Sequence, residues 1–351
     1  MKQRVKQYLG GVVTAAVFLG LLGAACALPP RTWQNLALLS AGLREPADSV
    51  QHLSGYLTRA TAAAPTAPSP IPPGEAVTHT VTTTATVLRK DGGTVLTQQL
   101  SAGSAFVQGV AVRNKSGKTV SVADSLAHTP KLSLTKTDAP QVLITHTHTT
   151  ECYLPYDTGF YNNEDPTRTA DETKNMVAVG KRVAAQLTAA GIGVIHDTAI
   201  HDQPYNGAYG HAKAAIQQYL AKYPTIRVVL DLHRDAIYTD NTTHVKPTAV
   251  IDGKPAAQVM ILVGMMNTKS VPNPHTAENL ALGVRLQQRL HQRYTGLARP
   301  LLLADGRYNQ QLTNGSLLIE IGSDANTLAE ACYSGDLLGT ALADVLHTLG
   351  A

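Results

Sequence analysis

The 351-residue chain has few large aromatic residues and few cysteines, with three Phe, one Trp and three Cys beside thirteen Tyr. It contains no run of basic residues interleaved with aromatic ones, and its formal net charge is only +4. Nucleic acid is therefore not an expected partner. The chain also lacks a phosphate loop and a GxGxxG motif, which excludes the two common patterns for nucleotide binding. What the sequence does contain, at 44% hydrophobic residues, is enough apolar material for a sizeable core.

The scarcity of cysteine limits disulfide bonding to one candidate pair. Beyond the first 30 residues only Cys152 and Cys332 occur. Sequence spacing cannot place two thiols within bonding distance, so both a disulfide and two reduced thiols remain open.

The first 30 residues have the pattern of a membrane segment. Basic residues occur between positions 2 and 6, and residues 8–28 are apolar or small throughout. About 20 such residues cross a bilayer, and cations on the N-terminal side keep that end in the cytoplasm. We therefore expect residues 1–30 to form a basic stub and a transmembrane or signal-anchor segment, with the rest of the chain extracytoplasmic. Because Ala25-Cys26-Ala27 has the form of a cleavage site, removal of this segment is the alternative.

Three further segments precede the main domain. Residues 31–60 show loose helical spacing and are predicted to form a juxtamembrane helical region. Residues 61–75 are dominated by Ala, Pro, Thr and Ser, a composition typical of an extended linker. Residues 76–137 alternate Thr and Val, with turn signals at Asp91-Gly92-Gly93 and at residues 114–117. This last segment is predicted to be small and β-rich, with hairpins that pack against the main domain.

Residues 138–351 alternate strand patterns with helix patterns. Such alternation predicts an α/β domain with a largely parallel sheet and helices on both faces. The predicted helices cover residues 175–190, 210–223, 277–294 and 327–349, and the predicted strands cover residues 142–145, 194–195, 226–230, 249–251, 258–263 and 317–321. Ligands of such sheets bind beyond the carboxyl ends of the strands. We expect the functional site at that edge.

Three of the predicted strands carry His or Glu residues at or near their carboxyl ends. His146, His148 and Glu151 follow the first strand, His233 follows the second, and Glu320 lies in the third. Neutral imidazole and carboxylate groups are ligands that Zn²⁺ prefers, and a catalytic zinc has three protein ligands and one open position. The pattern therefore predicts a catalytic zinc site. The candidate metal ligands are His146, His148, Glu151 and His233.

The remaining charged residues near these strand ends are candidates for catalysis and orientation. Glu320 is the single carboxylate of an apolar strand, and a position beside a zinc-activated water explains it as general base and then general acid. Asp231, Arg234 and Asp235 bracket His233 and are interpreted as groups that orient ligands or substrate. Arg234 has the alternative role of stabilising an oxyanion.

Each of these patterns has an ordinary structural interpretation as well. An HxH pair occurs by chance, and a charged pentapeptide such as residues 231–235 is commonly a surface salt-bridge cluster. Asp171 precedes a predicted helix and is interpreted as a cap, with replacement of Glu151 as ligand as its minority role. The other histidines singled out are interpreted as solvated: His196, His201, His211, His244 and His275.

Four motifs, in this order along the chain, resemble the stage II sporulation protein P family. They are His146–Glu151 with Tyr153, Leu230–Ala236, Arg307–Gln310, and Leu317–Gly322 with Asn326–Leu328. The resemblance covers roughly Val110 to the C terminus. It implies a membrane-anchored cell-wall hydrolase of engulfment with a zinc-dependent N-acetylmuramoyl-L-alanine amidase fold, and endopeptidase cleavage of peptide cross-links as a further activity.

The resemblance also implies roles for particular residues and partners. It puts metal ligands at His146 or His148, at Glu151 and at His233, with Glu320 as the catalytic acid and base. The wider zinc amidase family would align its first histidine with His148 and leaves room for an acid near Asp171, so the exact triplet stays open. Stage II sporulation proteins D and M are the implied protein partners.

These observations together predict an extracytoplasmic, membrane-tethered zinc amidase of peptidoglycan. A tether raises the effective concentration of an enzyme whose polymeric substrate lies just outside the membrane. The alternative from another class is a non-catalytic subunit that binds the cell wall or acts as a scaffold for a partner enzyme. A metal-independent hydrolase is the third hypothesis.

Overall fold

The structure is a computed structural model that describes residues 92–101, 106–135 and 137–351. The membrane segment predicted at residues 1–30, the juxtamembrane region at 31–60 and the linker at 61–75 lie outside the described residues. Within the described part of the chain, no helix is long and apolar enough to cross a membrane.

The described residues form twelve strands and five α-helices. The strands are β1 (Gly92–Gln98), β2 (Val112–Asn114), β3 (Val142–Thr145), β4 (Phe160–Asn162), β5 (Val194–His196), β6 (Val228–Asp235), β7 (Tyr238–Asp240), β8 (Thr243–Ile251), β9 (Lys254–Ala257), β10 (Val259–Gly264), β11 (Leu301–Ala304) and β12 (Gly315–Ser323). The helices are α1 (Val122–Ala127), α2 (Met176–Ala189), α3 (Ala208–Lys222), α4 (Thr276–Arg293) and α5 (Leu328–Thr348).

The main sheet has seven strands in the order β2-β11-β10-β12-β6-β3-β5. Every neighbouring pair is parallel except β10 and β12, which are antiparallel. The predicted α/β domain with a largely parallel sheet is therefore confirmed for the described residues. Because β3, β6 and β12 are adjacent and parallel, their carboxyl ends meet at one edge.

Helices cover both faces of this sheet, as predicted. Strand residues Leu230 and Leu232 pack in the large core with helices α2, α4 and α5. Val229, which precedes Leu230, packs on the other face against Ile216 of α3. Successive residues of a strand point to opposite faces, so Asp231 and His233 lie on the face that carries α3.

Local sequence explains where the two helices nearest the site begin. Asn175 caps α2 by accepting a hydrogen bond from the backbone N–H of Val177. Thr327 and Glu330 form a capping box at the start of α5, in which each side chain accepts from the other residue's backbone N–H. These caps set the helix starts within one residue of the predicted positions.

A second sheet of five strands, in the order β4-β1-β8-β7 with β9 beside β8, was not predicted. In the described part of residues 76–137 the predicted hairpins are limited to an antiparallel bridge between Val107 and Val110, because β1 pairs with β8 and β4 while β2 joins the edge of the main sheet. Gly92 and Gly93, interpreted as a turn, lie inside β1. A Cβ atom on either would stand 2.0 Å from a backbone oxygen, that of Tyr161 or Thr242, so glycine here permits close approach of strands.

Candidate active site

The strand ends bring the predicted site residues together as the parallel sheet requires. Thr145 of β3 is the register partner of Asp231 of β6, and His233 of β6 is the register partner of Glu320 of β12. Glu320 therefore lies beside His233 on the face that carries α3. The loop that follows β3 adds His148 and Glu151 to the same edge.

The centre of the site is a buried cluster of His148, Glu151, Asp231 and His233. The ring centroids of His148 and His233 are 5.3 Å apart, with the two rings nearly perpendicular. His233 Nδ1 lies 3.4 Å from Glu151 Oε2, and His233 Nε2 lies 3.0 Å from Asp231 Oδ1. One imidazole is thus held between two carboxylates, with a second imidazole against its face.

Threonines fix the loop that carries His148 and Glu151. Thr147 donates from its backbone N–H and its hydroxyl to the two carboxylate oxygens of Asp231, at 2.7 and 2.6 Å. Thr150 donates in the same two ways to Asp202, at 3.2 and 2.5 Å. Buried polar groups need such partners, and these bonds place His148 between two anchored residues.

Burial and neighbouring charges set the protonation states in the cluster. Burial lowers the pKa of His148 to about 4, so this imidazole is neutral at pH 7. Burial opposes charge on His233 too, but Asp231 and Glu151 outweigh it and raise the pKa of His233 well above its usual value. His233 holds the pKa of Glu151 well below its usual range despite burial. A proton on His233 thus neutralises part of the negative charge of this cluster.

Glu320 differs from Glu151 and Asp231 in the direction of its pKa shift, which is upward. Burial, followed by repulsion from Asp235, raises the pKa of Glu320 to about 8. Asp235 is itself paired with Arg299, whose Nη2 lies 2.9 Å from Asp235 Oδ2. Glu320 therefore has the protonation behaviour of a group that both donates and accepts a proton near pH 7.

Three buried side-chain atoms, of this cluster and of the adjacent Glu320, make no hydrogen bond. They are His148 Nδ1, His233 Nε2 and Glu320 Oε2. The distance from His233 Nε2 to Asp231 is short enough for an ion pair, but the angles are not those of a hydrogen bond. Unpartnered buried polar atoms are rare and commonly mark a missing ligand, ion or water.

The cluster has the donor types of a metal site without the arrangement of one. Across the residues that the structure describes, no three His, Cys, Asp or Glu side chains are placed so that they could hold a metal ion. Two imidazoles, of which each has an unpartnered nitrogen, stand beside the carboxylate of Glu151. Two histidines and one carboxylate form a known donor set for Zn²⁺. The residues therefore fit a divalent cation by chemistry, and its binding would replace the proton on His233.

The structure separates His146 from this cluster. His146 Nδ1 lies 3.1 Å from the carbonyl oxygen of Leu232, and His146 Nε2 lies 2.8 Å from Nε2 of His196. A carbonyl oxygen only accepts, so Nδ1 carries the proton and Nε2 accepts from His196. Both nitrogens of His146 are thus engaged away from His148 and His233.

Arg234 supports the loop after Glu151 through backbone groups. Its Nε donates to the carbonyl oxygen of Cys152 at 3.1 Å, and its Nη2 donates to that of Thr167 at 2.6 Å. In a strand, Arg234 faces away from the side that carries His233. Arg234 thus lies at the same strand end, but its donors bond to backbone carbonyl groups of the protein. Its role in the structure is to position the loop after Glu151.

Other candidates lie apart from the cluster. Asp171 is half-exposed and accepts from Thr173 in a turn before α2. His201, interpreted as solvated, is buried with Nε2 2.8 Å from Asp197, so that prediction is wrong. The two cysteines, at positions 152 and 332, are free thiols.

Sequence reasoning missed a stack of side chains behind the cluster. Tyr205 stacks on His148 with centroids 4.8 Å apart and planes 7° from parallel. Arg168 lies over the other side of the Tyr205 ring, 4.7 Å from its centroid. Arg168 also bridges Glu151 at 3.3 Å and Asp202 at 2.7 Å. No pattern in the sequence indicated Tyr205 as part of the site.

Two comparisons of sequence give the same family description. The family model for stage II sporulation protein P (SpoIIP) matches residues 95–344. The chain is 29% identical over 205 residues to Stage II sporulation protein P of Bacillus subtilis (strain 168). That match covers 55% of this chain and 48% of the relative, so the chain spans about half the length of that relative.

Solved structures with a similar arrangement include two amidases. One is the N-acetylmuramoyl-L-alanine amidase AmiC2 of Nostoc punctiforme, with 15% identity, coverage of 60% of this chain and 97% of that chain, and a TM-score of 0.36. Another is the CwlD amidase from Clostridioides difficile in complex with the GerS lipoprotein, with 12% identity, coverage of 60% and 98%, and a TM-score of 0.39.

Proposed function

The chain belongs to the stage II sporulation protein P family, whose model matches residues 95–344, and from that premise we propose that it hydrolyses peptidoglycan as a zinc-dependent N-acetylmuramoyl-L-alanine amidase. The observation that carries the proposal is the buried cluster of His148, Glu151 and His233 beside Glu320. Three of its polar atoms are buried without a hydrogen-bond partner, at the sheet edge where ligands of such folds bind.

The proposed metal ligands are His148, Glu151 and His233. His146 is left out because both of its ring nitrogens bond elsewhere. When bound, Zn²⁺ would supply Lewis acidity toward the scissile amide carbonyl and toward a water molecule. Asp231 accepts two bonds from Thr147 and lies against His233, so it fixes the orientation of that imidazole.

Glu320 is the proposed proton carrier of the reaction. Its Oε2 atom has no partner in the protein, and its register partner is His233. As a carboxylate it accepts a proton from the attacking water, and as an acid it delivers that proton to the nitrogen of the leaving stem peptide. A pKa raised by burial suits both halves of this cycle near neutral pH.

Digestion of purified peptidoglycan by the full chain tests the proposal. Mass spectrometry should detect free stem peptides from the wild type and at least about 100-fold less from Glu320→Gln, the loss typical of a missing general acid or base. The matched control is Glu164→Gln, an isosteric change at an exposed position, which should digest like the wild type. Equal release by Glu320→Gln and wild type would contradict the role of Glu320.

One observation favours the alternative of a non-catalytic wall-binding or scaffolding subunit. His233 is already paired with Glu151 and Asp231, and the described side chains are not in a coordinating arrangement. A closed cluster of this kind would need no metal. Tight binding to peptidoglycan with no release of peptide by any sample would favour this alternative.

The proposal extends to the setting of the enzyme. A membrane tether at residues 1–30 would hold the catalytic domain outside the cytoplasm beside its substrate, and stage II sporulation proteins D and M are proposed partners. Endopeptidase cleavage of cross-links is a second proposed activity. Products cut between peptide residues would identify it in the same digestion.

A further inference from the structure

The motif at residues 307–310 has no part in the proposed proton transfer, yet its backbone is unusual. Tyr308 and Asn309 have φ angles of 51° and 57°. Within the described residues they are the one consecutive pair of non-glycine residues in the left-handed region. Such a conformation is strained and persists when surrounding contacts hold it, commonly at functional sites.

The contacts that hold this turn also fix the start of α3. Asn309 Nδ2 donates to the carbonyl oxygen of Tyr209 at 2.9 Å. Gln310 accepts from the backbone N–H of Gly264 at 2.8 Å and donates to the carbonyl oxygen of Leu262 at 2.9 Å. The motif therefore joins the end of β10 to Tyr209, the second residue of α3.

The result of this bonding is a pair of tyrosine rings at the edge of the cluster. The rings of Tyr209 and Tyr308 are 6.2 Å apart at 64° to each other. Tyr209 lies nearly parallel to His233, with centroids 6.5 Å apart, and edge-on to His148 at 5.8 Å. Gly306 leaves room for the second ring, since a Cβ there would stand 2.6 Å from Cε2 of Tyr308.

The two flanks of the cluster differ in chemistry. On one flank Arg168, about one third exposed, is ion-paired with Glu151 and Asp202. On the other flank stand Tyr209 and Tyr308. A pyranose ring presents a flat face of C–H groups, which packs on the negative face of an aromatic ring, whereas the amide and charged groups of a peptide suit a flank of ion-paired side chains.

We propose that Tyr209 and Tyr308 form a binding subsite for a sugar ring of the glycan strand, adjacent to the amide that is cut. The inference rests on the proposed function for the identity of the polymer. The aromatic pair takes the sugar on one side of the scissile bond, and the stem peptide lies on the side of Arg168. The strained turn at Tyr308 and Asn309 sets the angle between the two rings.

Binding of two separate probes to the full chain tests the subsite without requiring hydrolysis. The probes are a soluble tetramer of N-acetylglucosamine, free of peptide, and a stem tetrapeptide, free of sugar, both titrated by calorimetry. Tyr308→Ala and Tyr209→Ala should each weaken binding of the sugar about tenfold and leave binding of the peptide unchanged. Tyr308→Phe keeps the ring and should bind the sugar like the wild type.

Tyr223→Ala provides the matched control, because Tyr223 caps the opposite end of α3. It should bind both probes like the wild type. Loss of peptide binding instead of sugar binding, equal sugar affinity in all variants, or no sugar binding by the wild type would each overturn the subsite. Sugar binding that depends on both tyrosines in a chain that cuts nothing would uphold the subsite while contradicting the proposed hydrolase.

Discussion

At the scale of single residues, two histidines two positions apart have different environments. By sequence, both His146 and His148 are candidate metal ligands. β3 ends at Thr145, so the chain turns and sends His146 to His196 and His148 to His233. The sequence identified the histidine-rich loop but could not decide which ring would remain unpartnered.

Because of the pair of His146 and His196, we expect the free energy of unfolding to fall as the pH is lowered. Burial lowers the pKa of His146 to about 3 and that of His196 to about 4, while both are near 6.5 in the unfolded chain. Below pH 6.5 the unfolded chain therefore binds protons that the native state does not. Each group should lower the free energy of unfolding by up to about 1.4 kcal/mol per pH unit between pH 6.5 and 4.

Urea unfolding at pH 7 and pH 5 measures this dependence. His196→Gln removes one of the two depressed groups and should lose less stability over that interval than the wild type does. His211→Gln, an exposed control on α3, should keep the wild-type dependence. The same loss of stability in His196→Gln and wild type would contradict a lowered pKa of His196 in the native state.

Histidines also show why some residue environments could not be predicted. His201 was interpreted as solvated because it lies in a predicted loop, between a strand and a helix. In the structure its partner Asp197 and the hydroxyl of Thr149 come from the turn after β5 and the loop after β3. Burial of a polar residue depends on contacts between distant segments, which a sequence pattern does not contain.

At the scale of secondary-structure elements, helix α2 lies against the histidine pair through a glycine. A Cβ atom at Gly180 would stand 2.5 Å from Nε2 of His196 and 2.7 Å from Nε2 of His146. Alanine favours a helix over glycine by about 1 kcal/mol. Here steric overlap outweighs propensity, so Gly180→Ala should lower the free energy of unfolding by about 1–3 kcal/mol.

The matched control for this change is Gly210→Ala in helix α3. A Cβ atom at Gly210 would meet nothing within 4 Å. This substitution should raise the free energy of unfolding by about 0.5–1 kcal/mol, because alanine lowers the conformational entropy of the unfolded chain without straining the native helix. Stabilisation by both substitutions in urea unfolding would show that the histidine pair can move away from α2.

Most elements of the main domain could be predicted, whereas strands β2 and β11 of the main sheet and most of the second sheet could not. Helices α2, α3, α4 and α5 begin and end within about two residues of their predicted bounds, because apolar spacing and caps are local signals. The second sheet joins strands from residues 92–98, 160–162 and 238–257, of which only residues 249–251 were predicted as a strand. Its pairing is a tertiary property.

At the scale of the whole molecule, a buried lysine links the second sheet to the main domain. Lys246 of β8 lies 2.9 Å from Glu330 of α5 and 2.9 Å from Asp157. Lys246 and Glu330 are both buried. Removing one partner of a buried ion pair leaves an uncompensated charge, which destabilises a protein by about 3–5 kcal/mol.

Lys246→Met should therefore lower the unfolding temperature by several degrees. Differential scanning calorimetry should still show one transition for the domain, because the second sheet contacts the main domain through residues such as Glu330, which also caps α5. Lys269→Met, at an exposed lysine, should leave the transition unchanged. A separate early transition in Lys246→Met would show that the two sheets unfold independently.

The function that we propose for the whole molecule is that of a peptidoglycan amidase that depends on a metal held by His148, Glu151 and His233. The most direct measurement is mass spectrometry of the products that the full chain releases from purified peptidoglycan, before chelation, after chelation and after addition of Zn²⁺. We expect free stem peptides with a new N-terminal alanine, lost on chelation and restored by Zn²⁺. Undiminished release in the presence of chelator, or no release of peptide under any of the three conditions, would contradict it.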